Sequence, residues 1–196
     1  MKIQTLGDTR PGRALLRLLS AVMESRLRYR FFGPERTLGG AGVRPGLEVL
    51  EVGCGTGFFT TPAARMLGDE GSLVAMDVLP ASVEAVTAKV QAAGLANTRV
   101  VKGTMLDTRL EAESLDLVLI FGVIPAPGLP MGTLLAEMHR ILRPGGTMAV
   151  WPPSWVHWTI RRSTFFSYSG RRGGVLRYTR VGTKGRDYAK GGGVRR

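Results

Sequence analysis

A single cysteine, Cys54, occurs in the 196 residues. No disulfide can form within the chain, and no set of thiolates exists to hold zinc, so a reducing, cytoplasmic setting and no bound metal are expected. Long apolar runs are missing as well. Leu15 to Leu19 is broken by Arg17, and nothing approaches the ~20 apolar residues that cross a bilayer. The opening residues, Met1 to Gly12, have no uninterrupted apolar run behind a basic end, so a signal peptide is not expected.

Acidic residues are scarce at both ends. Residues 1 to 33 carry seven Lys or Arg against Asp8 and Glu24, and residues 151 to 196 carry eleven against Asp187 alone. The stretch between, 34 to 150, has nine against twelve acids. The total of +12 therefore belongs to the ends, and the middle is an ordinary, slightly acidic domain. With 44% hydrophobic and 21% charged residues, the composition is that of a folded globular chain, and its length fits one domain.

Strands are read where short apolar runs end at Gly, Pro or acidic breaks: Leu47 to Val52, Ser72 to Met76, Leu115 to Phe121 and Thr147 to Trp151, with a weaker one at Thr98 to Lys102. Helical spacing falls between them. Val83, Val86 and Val90 mark a helix from Ala81 to Ala93 that Gly94 ends. Met131, Leu134, Leu135, Met138, Ile141 and Leu142 mark another before the breaker Pro144-Gly145-Gly146. Alternating strands and helices predict an α/β fold, a Rossmann-like, doubly wound and mostly parallel sheet covered on both faces.

The most informative segment is Leu50-Glu51-Val52-Gly53-Cys54-Gly55-Thr56-Gly57. It joins a buried strand to a helix, the place where such sheets bind ligands. Glycine lets the backbone approach a ligand and adopt positive φ. The spacing is G-x-G-x-G, and Phe58 stands where a dinucleotide fingerprint has its third glycine, which disfavours nicotinamide and flavin dinucleotides. No Gly-Lys-Ser/Thr follows, so a P-loop is excluded. Asp77, at the end of the next strand, is placed to bind ribose hydroxyls or to cap the helix that follows.

In these residues the chain resembles the class I S-adenosylmethionine methyltransferases, closest to the small-molecule and lipid-type group, over about residues 43 to 151. The resemblance implies S-adenosylmethionine as cofactor. It puts Glu51 and Gly53 near the methionyl and adenosyl parts, Cys54, Gly55 and Gly57 along the cofactor, Asp77 and Val78 at the ribose and its surroundings, and Thr104, Met105 and Phe121 around the rest. Leu142-Arg143-Pro144-Gly145-Gly146-Thr147 matches the family's turn into its fifth strand. One departure stands out: the family often has Gly-Asp-Ala after the third strand, with the Asp near the adenine amino group, and here the sequence is Gly103-Thr104-Met105. Thr104 is a weaker acceptor than a carboxylate, and Asp107 is the alternative.

Pattern and composition set an amphipathic, basic helical segment over 1–42 and a basic tail over 182–196 with a disordered composition apart from a methyltransferase domain expected over 43–181. The family's sheet ends in a reversed hairpin, yet after Trp151 only Gly174 to Val181 reads as a strand. The C-terminal edge is therefore expected to be reduced, or completed by a second subunit in a homodimer.

The acceptor is expected to be small or lipid-like. Phe121-Gly122-Val123-Ile124-Pro125-Ala126-Pro127 lacks the Asn/Asp-Pro-Pro-aromatic motif of methylases acting on base amines. No separate Pro-Cys loop offers the nucleophile that pyrimidine C5 methylation requires. The basic ends keep open RNA- or protein-directed methylation, or a non-catalytic adaptor binding S-adenosylmethionine at an anionic membrane surface. Peripheral membrane association is thus an expectation alongside the cytoplasmic one. His157, among Trp151, Trp155 and Trp158, has two readings: a base beside an aromatic wall, or a residue of a helix packed on the sheet. His139 reads as a packing residue.

Overall fold

The computed structural model describes residues 33–124, 128–152 and 156–182. The basic segment expected before residue 33, Trp155 and the tail beyond residue 182 lie outside the described residues.

In chain order the elements are α1 (Pro34–Ala41), β1 (Glu48–Val52), α2 (Thr60–Leu67), β2 (Ser72–Asp77), α3 (Pro80–Ala92), β3 (Thr98–Lys102), β4 (Leu115–Phe121), α4 (Met131–Ile141), β5 (Leu142–Trp151), α5 (Val156–Arg161), β6 (Phe166–Arg172) and β7 (Val175–Arg180). The strands form one seven-stranded sheet in the order β3-β2-β1-β4-β5-β7-β6. Neighbours from β3 through β5 are parallel, and β7 runs antiparallel to both β5 and β6. The order reverses between β1 and β4, and that switch point is where an open α/β sheet leaves a crevice beyond its strand ends.

The two central strands are largely apolar because both of their faces are covered, with Glu48 and Glu51 in β1 and Asp116 in β4 as the exceptions. Against one face, α4 lays Leu134, Leu135, Met138 and Ile141, and α5 lays Val156 and Ile160, over Leu50, Val118, Ile120, Met148 and Tyr178. Against the other, Leu38 and Ala41 of α1 and Ala63, Ala64 and Leu67 of α2 pack on Val49, Leu117, Leu119 and Ala149. Val86 and Val90 of α3 cover Ala75 of β2. The three- and four-residue spacing seen in the sequence is the spacing of these buried faces. Helix α1, within the stretch expected as a separate basic segment, thus contributes buried residues to the domain core.

The expectation of a reduced C-terminal edge is corrected. Both strands of the reversed hairpin are present, joined by Gly173-Gly174, whose φ values of 55° and 82° suit the two-residue turn of a twisted hairpin. No second subunit is needed to complete the sheet. Strand β6, Phe-Ser-Tyr-Ser-Gly-Arg-Arg, buries only Phe166. It carries a pairing irregularity between Tyr168 and Gly170 and ends in two exposed arginines, features that discourage further strand addition. Among the described residues, no helix is long and apolar enough to cross a membrane.

Candidate functional site

The glycine loop leaves the carboxyl end of β1 at the switch point. Gly53, Gly55 and Gly57 have φ of 73°, 53° and 81°, a region where other residues are strained. The amides of Gly53 and Cys54 both donate to the carbonyl of Met76, at 2.7 and 3.0 Å, which moors the start of the loop to β2. Lys89 Nζ donates to the Thr56 carbonyl at 2.8 Å and holds its far end. A Cβ on Gly53 would lie 2.4 Å from Val123 Cγ2, whereas one on Gly55 would meet nothing closer than the Gly53 carbonyl at 3.9 Å. Open space therefore lies beside Gly55, in the cradle of the loop.

Asp77 closes one side of that cradle. Its Oδ2 accepts the amide of Gly55 at 2.8 Å, and its Oδ1 accepts the amide of Leu79 at 2.9 Å, just ahead of α3. The two readings of Asp77 are thus compatible: it steadies the start of α3 and also faces the loop. A carboxylate has about four acceptor positions, so two remain for donors such as a ribose diol. Val78 beside it is one of three exposed large apolar side chains among the described residues. An adenosyl group fits this donor set: open backbone space at Gly55, free carboxylate lone pairs at Asp77 and an apolar surface at Val78.

Glu51 is buried at the floor, 2% exposed. Burial raises its pKa to about 8, and the nearby Asp77 charge adds to the shift, against a hydrogen bond from Thr60. Thr60 Oγ1 donates to Glu51 Oε2 at 2.6 Å. At neutral pH this carboxyl holds its proton, and a cation placed over it would release that proton. The Cys54 thiol is pushed up by burial and by the charges of Glu51 and Asp77, so it stays a neutral, small residue within the loop.

The strand ends of β3 and β4 border the same end of the sheet. Thr104 Oγ1 accepts the amide of Leu106 at 3.3 Å, and the Asp107 amide donates to the Thr104 carbonyl at 3.2 Å. This tight turn sends Asp107 outward, where it lies 3.7 Å from Arg109 with both side chains largely exposed. Met105 packs partly buried against the core. Phe121 is buried edge-on between Phe59 and Trp151, with ring centroids 4.9 and 6.3 Å away. It supports the end of β4 from within the core.

The structure separates the residues grouped around His157. Trp151 packs with Phe59 and Phe121 beside α2. His157 packs on the opposite face of the sheet, against Tyr168 and Tyr178 at 4.9 and 5.9 Å. Its Nδ1 lies 2.7 Å from the Tyr178 hydroxyl. That environment is helix-to-sheet packing. His139 is buried against Phe165 and Phe166, with Nε2 2.8 Å from the Val181 carbonyl.

Four participants had no signal in the sequence: Thr60, the Met76 carbonyl, Lys89 and Val123. Each reaches the loop from another element, and only the fold brings them there. A separate cleft of about 510 Å³ includes Glu48, Ser72, Thr98 and Arg99. These lie at the amino ends of β1, β2 and β3, away from the glycine loop.

The profile of the methyltransferase-domain family matches residues 49–146. Nocamycin O-methyltransferase of Saccharothrix syringae is 35% identical over 137 residues, 66% of this chain and 48% of that protein. Demethylmenaquinone methyltransferase of Staphylococcus aureus (strain MRSA252) is 33% identical over 113 residues, 57% and 45% of the two chains. The chain thus spans about half the length of these curated relatives. Its fold is shared with a SAM-dependent methyltransferase from Aquifex aeolicus, with TM-score 0.72 and 23% identity, over 86% of this chain and 98% of that one.

Proposed function

The chain belongs to the methyltransferase-domain family, and from that premise we propose that it transfers the methyl group of S-adenosylmethionine to a small, apolar or lipid-like acceptor. The observation that carries the reading is the glycine loop locked to Asp77, with open space at Gly55 and free acceptor positions on the carboxylate. The cofactor supplies an activated methyl on a sulfonium, so the protein has mainly to align the acceptor and exclude water.

Within this site Gly53, Cys54, Gly55 and Gly57 form the backbone cradle, Asp77 accepts the ribose hydroxyls and Val78 lines the adenine side. Glu51 lies below as the counter-charge for a cationic ligand. Thr104 takes the polar contact at the adenine end, since Asp107 turns away toward Arg109. No base is required where the acceptor is an acidic enol, a phenol or a carbon nucleophile.

Two observations favour an apolar acceptor. The loop after β4 brings Val123 against Gly53 and buries Ile124. The two relatives named above are an O-methyltransferase and a demethylmenaquinone methyltransferase. Incubation with methyl-labelled S-adenosylmethionine and a panel of quinols, phenols and enolic acids tests the reading. Label should enter at least one apolar acceptor, and far less of it with Asp77→Ala at a cofactor concentration that does not saturate the variant. Transfer confined to RNA or protein would refute the acceptor class.

A further inference from the structure

Trp158 is 63% exposed, the most exposed large apolar side chain among the described residues. It sits on α5, a short helix whose inward face is fixed by Val156 and Ile160, so its outward position follows from the register of the helix. Solvent-exposed tryptophan carries an unfavourable hydration cost unless something covers it.

The surroundings of Trp158 combine apolar surface with one sign of charge. A groove of about 530 Å³ runs between α4 and α5, with Met131, Leu135, Trp158 and Phe165 among its lining and Arg162 at its edge. The Arg161 guanidinium lies 6.0 Å from the Trp158 ring centroid and 5.7 Å from that of Tyr168, which holds a cation over the aromatic surface. Residues 151 to 182 contain six arginines and no acid. The nearest acid in α4 by sequence, Glu137, is bound by Arg140 and Thr108. Arg161 and Arg162 therefore stand beside an apolar groove with no carboxylate of their own segment to neutralise them.

We propose that this face, Trp158 with Arg161, Arg162 and the groove between α4 and α5, docks on an anionic lipid bilayer. Tryptophan favours the boundary between headgroups and acyl chains, where its ring is apolar and its N–H stays wet. The arginines meet lipid phosphates while their stems lie along the apolar surface. A nucleic acid would also match the charge, but a groove floored by Leu135, Met131 and Phe165 offers acyl chains more than it offers bases. The chain's own residues 1 to 33 carry net positive charge, so they lack the charge complementary to a basic face.

Flotation of the full chain with vesicles of equimolar phosphatidylcholine and phosphatidylglycerol tests this, compared with phosphatidylcholine alone and with single-stranded RNA. Arg161→Gln with Arg162→Gln should weaken partitioning about twenty-five-fold, at roughly fivefold per arginine near an anionic surface. Trp158→Ser should weaken it about tenfold, with melting temperature unchanged because the side chain is exposed. In the unmutated chain, brominated acyl chains should quench tryptophan emission, and Trp158→Phe should remove most of that quenching. Partitioning unaffected by both sets of substitutions would overturn the proposal, since the basic ends alone would then bind. So would a loss confined to RNA affinity. The readout is partitioning and not turnover, so its failure leaves the methyltransferase reading intact.

Discussion

The amide of Gly55 donates a 2.8 Å hydrogen bond to Oδ2 of Asp77, joining the first and second strands of the sheet at the mouth of the cradle. Loop shape and carboxylate position are therefore set together. Asp77→Ala should lower affinity for S-adenosylhomocysteine about tenfold to hundredfold, the range of a lost hydrogen bond to a charged group. Titration calorimetry reads this directly. Unchanged affinity would mean that the ribose lies elsewhere.

The adjacent glycines separate stability from binding. Gly53→Ala puts a methyl 2.4 Å from Val123 at a φ of 73°, so both folding and binding should suffer. Gly55→Ala, at a φ of 53° with open space around it, should cost only about 1 to 2 kcal/mol of backbone strain. Its methyl fills the cradle, so cofactor affinity should fall far more than stability does. Paired thermal melts and calorimetry distinguish the two variants.

Glu51 predicts a pH dependence of stability. Its pKa in the folded protein is about 8, raised by burial, against the ordinary carboxylate value of ~4.3 in an unfolded chain. Between these two values the folded state binds the extra proton, so the Glu51 contribution to stability falls as pH rises. Glu51→Gln removes that penalty. Its melting temperature should exceed that of the unmutated chain at pH 8 and approach it at pH 5, while cofactor affinity drops. A melting difference independent of pH would contradict the buried, protonated carboxyl.

His157 and the Tyr178 hydroxyl form one unit across α5 and β7. Removing the imidazole leaves that hydroxyl buried without its partner, so His157→Ala should cost about 1 to 3 kcal/mol of stability. The same change in a Tyr178→Phe background should cost less. The pH profile of methyl transfer should keep its shape, which denaturant melts and rate measurements can check. A profile that lost its rise from acid to neutral pH would assign His157 to the chemistry as a base.

The central sheet was legible because it is buried on both faces: Leu115 to Phe121 reads as a strand from the apolar run Leu117 to Phe121, despite Asp116. The loop was legible because Gly53, Gly55 and Gly57 alternate directly after a buried strand, where positive φ and close backbone approach to a ligand are needed together. Strand β6 was not, since an edge strand with one buried residue, Phe166, leaves no hydrophobic pattern. Its signal was the Gly173-Gly174 turn rather than its own residues. The grouping of His157 with Trp151 failed for a different reason. Sequence proximity does not reveal that the chain crosses from one face of the sheet to the other between them. Thr60 became visible only when the fold set its hydroxyl against Glu51, nine residues earlier.

Calorimetric titration of the unmutated chain with S-adenosylmethionine, alongside a nicotinamide dinucleotide and ATP, tests the central claim most directly. Saturable binding of S-adenosylmethionine at one site per chain is predicted, competed by S-adenosylhomocysteine, with neither of the other nucleotides binding comparably. Failure to bind S-adenosylmethionine, or equal binding of the dinucleotide, would contradict it.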